Sequence, residues 1–200
     1  MLATGVVTVL KANVGVGPVD ALLSGLASVA GIAHGTAGLA FSAALIAVAV
    51  MTRCQVQIGT VAGSAMLGPL INLIIGANII TPGETMVARL TVFAFGVLSI
   101  AFGVAFVINA GLGTGVLELL SGRLAGKVPL SGPATRTVLE MLFVLTGAAL
   151  GGQVGVGTLV FALTFGYLLE GAIKVTGWLR STEINPQLQR KLRRRTSRRM

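Results

Sequence analysis

Four of the six acidic side chains in this sequence, Asp20, Glu118, Glu140 and Glu170, stand within long apolar stretches. An ionised carboxylate is costly where water is excluded, so residues of this kind face a protein interior or a cavity and mark ion, proton or solute pathways. Glu140 is the strongest case, about eight residues into an apolar run and one turn after Arg136. That spacing lets the two side chains pair, although acid after base is the weaker order along a helix. Glu170 lies deep in another such run, where it must find a partner. Proton-coupled or cation-coupled movement of a solute would need such a carboxylate; a static polar contact between helices would place one there equally well, and both readings stand.

The other two acids lie in stretches that nearly copy one another, "NVGVGPVDALLSG" at 13–25 and "NAGLGTGVLELLSG" at 109–122. In the first, Asn13, Gly15 and Gly17 precede Pro18, which suits the first position of a helix, and Asp20 then falls in its first turn. The pattern predicts a broken chain that restarts as a half-helix. Asn109, Gly111 and Gly113 predict the same break in the second copy. Broken backbone within a bilayer is tolerated only when protein buries it or water fills a cavity beside it. The restarted helix offers a positive dipole end to an anion, unless Asp20 already occupies it. Asp20, Ser24 and Ser28 follow at i, i+4, i+8, a polar stripe opposite Leu22, Leu26 and Val29; Glu118, Ser121 and Gly122 give the second copy a shorter version. These stripes line one shared pathway, or they serve only capping and packing.

The elements that must position these groups are membrane helices. A hydrophobic fraction of 54%, a charged fraction of 10% and a mean hydropathy of +0.91 fall outside the soluble class. A hydrocarbon core about 30 Å thick needs about 20 helical residues. Runs of that kind lie near 35–52, 57–77, 86–109, 132–151 and 156–179, with a short one at 2–13. The half-helices after each break, about 12 residues and about 18 Å long, are too short to cross and are expected to re-enter or lie buried.

The repeat extends past the breaks. "HGTAG" at 34–38 matches "SGPAT" at 131–135, "QVQIGT" at 55–60 matches "QVGVGT" at 153–158, Gly68 matches Gly166, and Asn72 matches Glu170. Asn72, deep in its own run, is therefore a further pathway candidate. The offset stays between 96 and 98 across about 60 residues, which predicts two homologous halves. Three spans per half is odd, so the second half enters the membrane from the opposite side. The expected fold is an all-α polytopic membrane protein with a 3+3 inverted-topology repeat and two re-entrant half-helices. The first repeat covers 1–76, a linker 77–85, the second repeat 86–179, and a basic tail 180–200. Residues 1–179 hold seven Lys or Arg against five acids, and residues 180–200 hold eight against one. With that tail inside, Arg53, Arg123, Lys127, Arg136 and Arg180 lie inside and only Lys11 and Arg89 outside, as the positive-inside rule requires. Both termini are then expected to be cytoplasmic.

No positive region precedes the first apolar run, so that run is expected to remain in the mature chain. By the repeat, Met1 corresponds to about Val97, which leaves the first span about 11 residues short: either that helix is short or the native start lies upstream of Met1, and the second is expected. A lone Cys54 and a lone His34 predict neither a disulfide nor a metal site, and both are read as structural. No cofactor motif is present: "GVGTLVFALTFG" lacks the Lys-Ser/Thr and the strand context of a phosphate loop. Catalysis is not expected, since no nucleophile and base share a face. Glycines at Gly59 and Gly63, Gly122 and Gly126, and Gly147 and Gly151 have the spacing of close helix contacts in lipid. Trp178 suits an interfacial position. The expected partners are the bilayer, an unidentified small solute, a second copy in a homodimer, and anionic lipid headgroups at the tail; nucleic acid is not expected.

"ANVGVGPVD", then "GT" at 59–60 leading to "GPLIN", and later "TRTVLEM" running to "LGGQVGVGT", resemble the YczE/YyaS/YitT group of bacterial integral membrane proteins, in its YczE-like branch. The likeness covers nearly the whole chain. It implies location and architecture, assigns no activity, and adds Arg136 and Glu140 to the signature. Val19 stands where that group usually has an aromatic, Asn72 where an acid is frequent, Thr114 and Gly115 in place of a second proline-containing turn, and Tyr167 in place of a proline. Only the first break keeps its Pro-x-Asp turn, so a ligand held between the two breaks would meet an asymmetric site. The expected function is transport or export of a small solute, with a solute-binding subunit that needs an energising partner, or an accessory scaffold, as alternatives.

Overall fold

A computed structural model of the chain describes residues 1–54, 56–111, 115–125, 127–129 and 131–183, and among these it is helical, without strands. The helices are α1 (Leu2–Ala12), α2 (Pro18–Ala30), α3 (His34–Met51), α4 (Ile58–Ala77), α5 (Met86–Asn109), α6 (Val116–Ala125), α7 (Gly132–Ala149) and α8 (Val156–Glu183). Their ends follow local chemistry. α1 stops where Asn13 turns left-handed (φ 53°), Pro18 opens α2, and Gly31 (φ 64°) closes it. The hydroxyls of Thr85 and Ser131 cap α5 and α7 by accepting from the amides of Ala88 and Ala134.

Four helices, α3, α4, α5 and α8 up to Trp178, are long and apolar enough to cross a membrane. The sequence predicts five full spans. α7 has 18 residues but carries Arg136 and Glu140, which dilute its hydropathy, so length and composition alone do not qualify it. Most of the surface of the four is apolar and unburied: Val50, Leu73, Phe95, Leu159 and Leu163 all point outward. A surface of that kind has lipid as its solvent. The chain is a helical membrane protein.

The core forms around the shortest of the apolar helices. Ala3, Val6, Val7, Val9 and Ala12 of α1 are buried, and α1 packs against α4 and α5. It runs antiparallel to α5: Leu2 meets Gly103, Gly5 meets Ile100, and Val9 meets Gly96. The absence of a side chain at Gly5 and Gly96 permits this approach, since a Cβ on either would lie within 2.8 Å of its neighbour. Elsewhere the close contacts join glycines of different helices rather than pairs spaced along one. Gly35 of α3 meets the backbone of Gly68 on α4, and Gly147 of α7 meets Ala21 on α2, whereas Gly63 and Gly151 have nothing within 4 Å. Gly59 carries no described contact, Gly122 has no described surroundings, and Gly126 lies outside the described residues.

Set against the offset read from the sequence, most of the helix packings have a counterpart. α2 packs on α3 and α7, and α6 packs on α7 and α3; α1 packs on α4, and α5 on α8. The largest exception involves α3 and α4. α3 lies along α4, but among the described residues α7 and α8 have no comparable contact. Gly166 shows this locally: its partner Gly68 is clamped by Gly35, and Gly166 itself has nothing within 4 Å.

Candidate functional site

The first break is buried. Gly15, Val16, Gly17 and Pro18 are inside the protein, and the segment is held by the start of α8. The Gly157 amide donates to the Val14 carbonyl at 2.7 Å, and the Val16 amide donates to Thr158 Oγ1 at 3.1 Å. Gly15 adopts φ 122°, and a Cβ there would lie 2.7 Å from the Thr158 amide. Backbone groups freed by the break are thus satisfied by backbone and hydroxyl groups of a distant segment, as an apolar medium demands. The second break differs. α5 continues through Asn109, whose Nδ2 donates to the Ile173 carbonyl at 3.0 Å and to Thr176 Oγ1 at 2.6 Å, and the left-handed residue is Gly111 (φ 69°). Gly113 lies outside the described residues.

Between the two breaks lies a cavity of about 600 Å³. Gly17, Pro18 and Asp20 contribute from the first break and Gly115 and Leu117 from the second. Most of its wall is apolar, including Leu45, Ile71, Phe41, Phe161 and Phe165. The last two rings stack with centroids 4.6 Å apart, and Phe41 meets Phe143 of α7 edge-on at 5.6 Å. Against this wall stand, among the described residues, four ionisable side chains: Asp20, His34, Arg136 and Glu140. Arg136 Nε donates to Glu140 Oε1 at 2.8 Å, closing the i, i+4 pair on α7. His34 Nε2 and Asp20 Oδ1 are 3.4 Å apart, with side chains 9% and 19% exposed. The sequence reads His34 as a structural residue. What brings it to Asp20 is the left-handed turn at Gly31, where the Ile32 amide donates to the Ala27 carbonyl, followed by extended backbone at Ala33 that opens α3. That reversal was the available signal, in "GIAHG" directly after the half-helix.

The remaining sequence candidates lie elsewhere. Ser24 donates to the Ala21 carbonyl and accepts from the Gln153 amide at 2.9 Å, so it fixes the α7–α8 connection, while Ser28 is exposed. Asn72 Oδ1 accepts from the Gly35 amide at 2.8 Å and its Nδ2 donates to Thr36 Oγ1 at 3.0 Å, which caps α3 from the neighbouring helix. Glu170 is 65% exposed on the outer face of α8 and pairs with Lys174 at 2.7 Å on its own helix, so it needs no partner across the bundle. Glu118 is carried by α6, beside Leu117 on the cavity wall; its side chain lies outside the described residues. Residues 184–200, which hold most of the basic tail, also lie outside them, and α8 runs on past 179 to Glu183.

The family of unknown function DUF6198 matches residues 1–174, which takes in every residue of the cavity wall from Val6 to Leu169. The chain belongs to DUF6198. It is 27% identical over 173 residues to the uncharacterized membrane protein YczE of Bacillus subtilis, covering 85% of this chain and 79% of YczE. An uncharacterized protein of Haemophilus influenzae is 32% identical over 111 residues, 52% of this chain and 51% of that protein. No solved structure matches the chain. The likeness to YczE bears out the resemblance read from the ordered glycine, Arg136 and Glu140 motifs.

Proposed function

We propose that this DUF6198 protein is a small transporter or exporter of the bacterial inner membrane, moving a small solute through the cavity between its two repeats. One observation carries the reading: the cavity takes its wall from residues beside both breaks and gathers Asp20, His34, Arg136 and Glu140 on a mostly apolar lining. Ionisable side chains facing a cavity inside a membrane protein commonly mark the pathway of an ion, proton or solute. The antiparallel course of α1 and α5, which are repeat partners, supports an inverted repeat, and sites at the junction of inverted repeats with broken helices are a recurrent transporter plan. Lys11 Nζ donates to Asn78 Oδ1 at 3.1 Å, consistent with both lying on the outer side and with cytoplasmic termini. In this reading the chain is not an enzyme, pairs with a second copy, and uses its tail as a topological anchor on anionic headgroups.

Alternating access tests the reading without knowledge of the solute. Ser64 lines the cavity, so in a Cys54→Ser background a Ser64→Cys variant in oriented vesicles should react with membrane-impermeant thiol reagents from either side. Access from one side under every condition would instead favour a solute-binding subunit, and access from neither would favour a scaffold.

A further inference from the structure

We propose that the cavity takes an organic monocation, a single positive charge on an apolar body; this rests on the transport reading and names its substrate class. Among the described residues the lining holds two acids against one permanent cation. Arg136 is already engaged by Glu140 at 2.8 Å, whereas the described partner of Asp20 is a histidine 3.4 Å away, which when neutral leaves the charge of Asp20 uncompensated. In surroundings of low dielectric that excess charge is strongly felt, and it selects by sign. The rest of the wall selects for an apolar body. Phe41, Phe161 and Phe165 put aromatic rings on the lining, a residue type that attracts cations, and Leu45, Leu67 and Ile71 reward burial of hydrocarbon.

The alternatives fit less well. An organic anion would face two carboxylates. A neutral apolar molecule would desolvate Asp20 and offer it no partner, which is the costly half of a missing charged hydrogen bond. A bare metal ion would leave the aromatic wall unused, and no group of three or more His, Cys, Asp or Glu among the described residues could hold one. A cavity of about 600 Å³ is of the size that encloses organic molecules rather than ions.

The test uses two probes of nearly identical shape and opposite charge, tetraphenylphosphonium and tetraphenylborate, with the full chain in phosphatidylcholine nanodiscs. Saturable binding of tetraphenylphosphonium that tetraphenylborate does not displace is expected. Asp20→Asn should weaken it about tenfold or more, and Asp20→Glu should restore most of it. Equal or tighter binding of tetraphenylborate, no saturable binding of tetraphenylphosphonium, or an Asp20→Asn variant that binds unchanged would overturn the proposal. The comparison of the two probes needs no variant, so it stands even if Asp20→Asn fails to fold. Ser64→Cys accessibility separates this from the underlying reading. Two-sided access without cation binding removes the substrate class and leaves transport, whereas cation binding with one-sided access keeps the cation site and removes transport.

Discussion

The Thr158 hydroxyl, 4% exposed, accepts from the amides of both Val16 and Gly155 and so ties the broken segment to the start of α8. Thr158→Val keeps the shape and removes the acceptor, leaving a buried amide unpaired. It should cost about 1–3 kcal/mol, read as a lower thermal midpoint in detergent, with Thr158→Ser close to the parent. Gly15 is held at φ 122° against the same residue, so Gly15→Ala meets both backbone strain and the Thr158 amide. That change should destabilise by about 2 kcal/mol or more, and parental stability in the Gly15→Ala variant would show that the break is looser than described. The carboxylate of Asp20 is positioned by this clasp, because it lies in the first turn of the helix that follows.

α3 illustrates how one element borrows its end from another. Its N-cap residue, Ala33, has no side chain able to accept, and Asn72 of α4 does so instead at the Gly35 amide. Asn72→Ala should cost about 1 kcal/mol, while Asn72→Asp retains the accepting oxygen and should lose less. The α3–α4 crossing also supplies a contrast matched by the repeat. A Cβ on Gly68 would run into the Gly35 backbone, and one on Gly166 would enter open space. Gly68→Ala should therefore destabilise by about 1–3 kcal/mol and Gly166→Ala should be nearly neutral. Equal effects from the two variants would mean that both halves are packed alike, against the asymmetry described.

For the molecule as a whole, that asymmetry has a consequence for movement. If the halves exchange conformations, α3 and α4 must part as α7 and α8 close. Spin labels at the exposed positions Val48 and Val61, and at Leu145 and Leu159, which share the repeat offset, should report distance changes of opposite sense when the cavity is filled with tetraphenylphosphonium. A single unchanged distance at both pairs would argue for a static cavity. The outer surface should be indifferent by comparison. Glu170 and Lys174 form an ion pair of which both members are largely exposed, 65% and 74%, so Glu170→Gln should leave cation binding and thermal midpoint unchanged.

Much of this architecture was written in the order of residues. Apolar runs between glycines, prolines and charges placed α3, α4, α5 and α8 close to their observed bounds, because the length of a span is set by the bilayer and not by its neighbours. The Asn-Gly-Gly-Pro spacing located the first break, since the backbone it needs is open to few residues, and the Arg136–Glu140 pair followed from i, i+4 geometry on one helix. What the sequence could not decide was which residues meet across helices. Asn72 and Glu170 match under the sequence offset, yet one caps a helix inside the bundle and the other pairs on the outer face, because tertiary packing sets which side of a helix is interior. His34 had no visible partner until the turn at Gly31 folded α3 back and brought it to Asp20. The cavity itself is a product of packing: its wall is assembled from residues as far apart along the chain as Val6 and Leu169, and no local pattern encodes which of them meet.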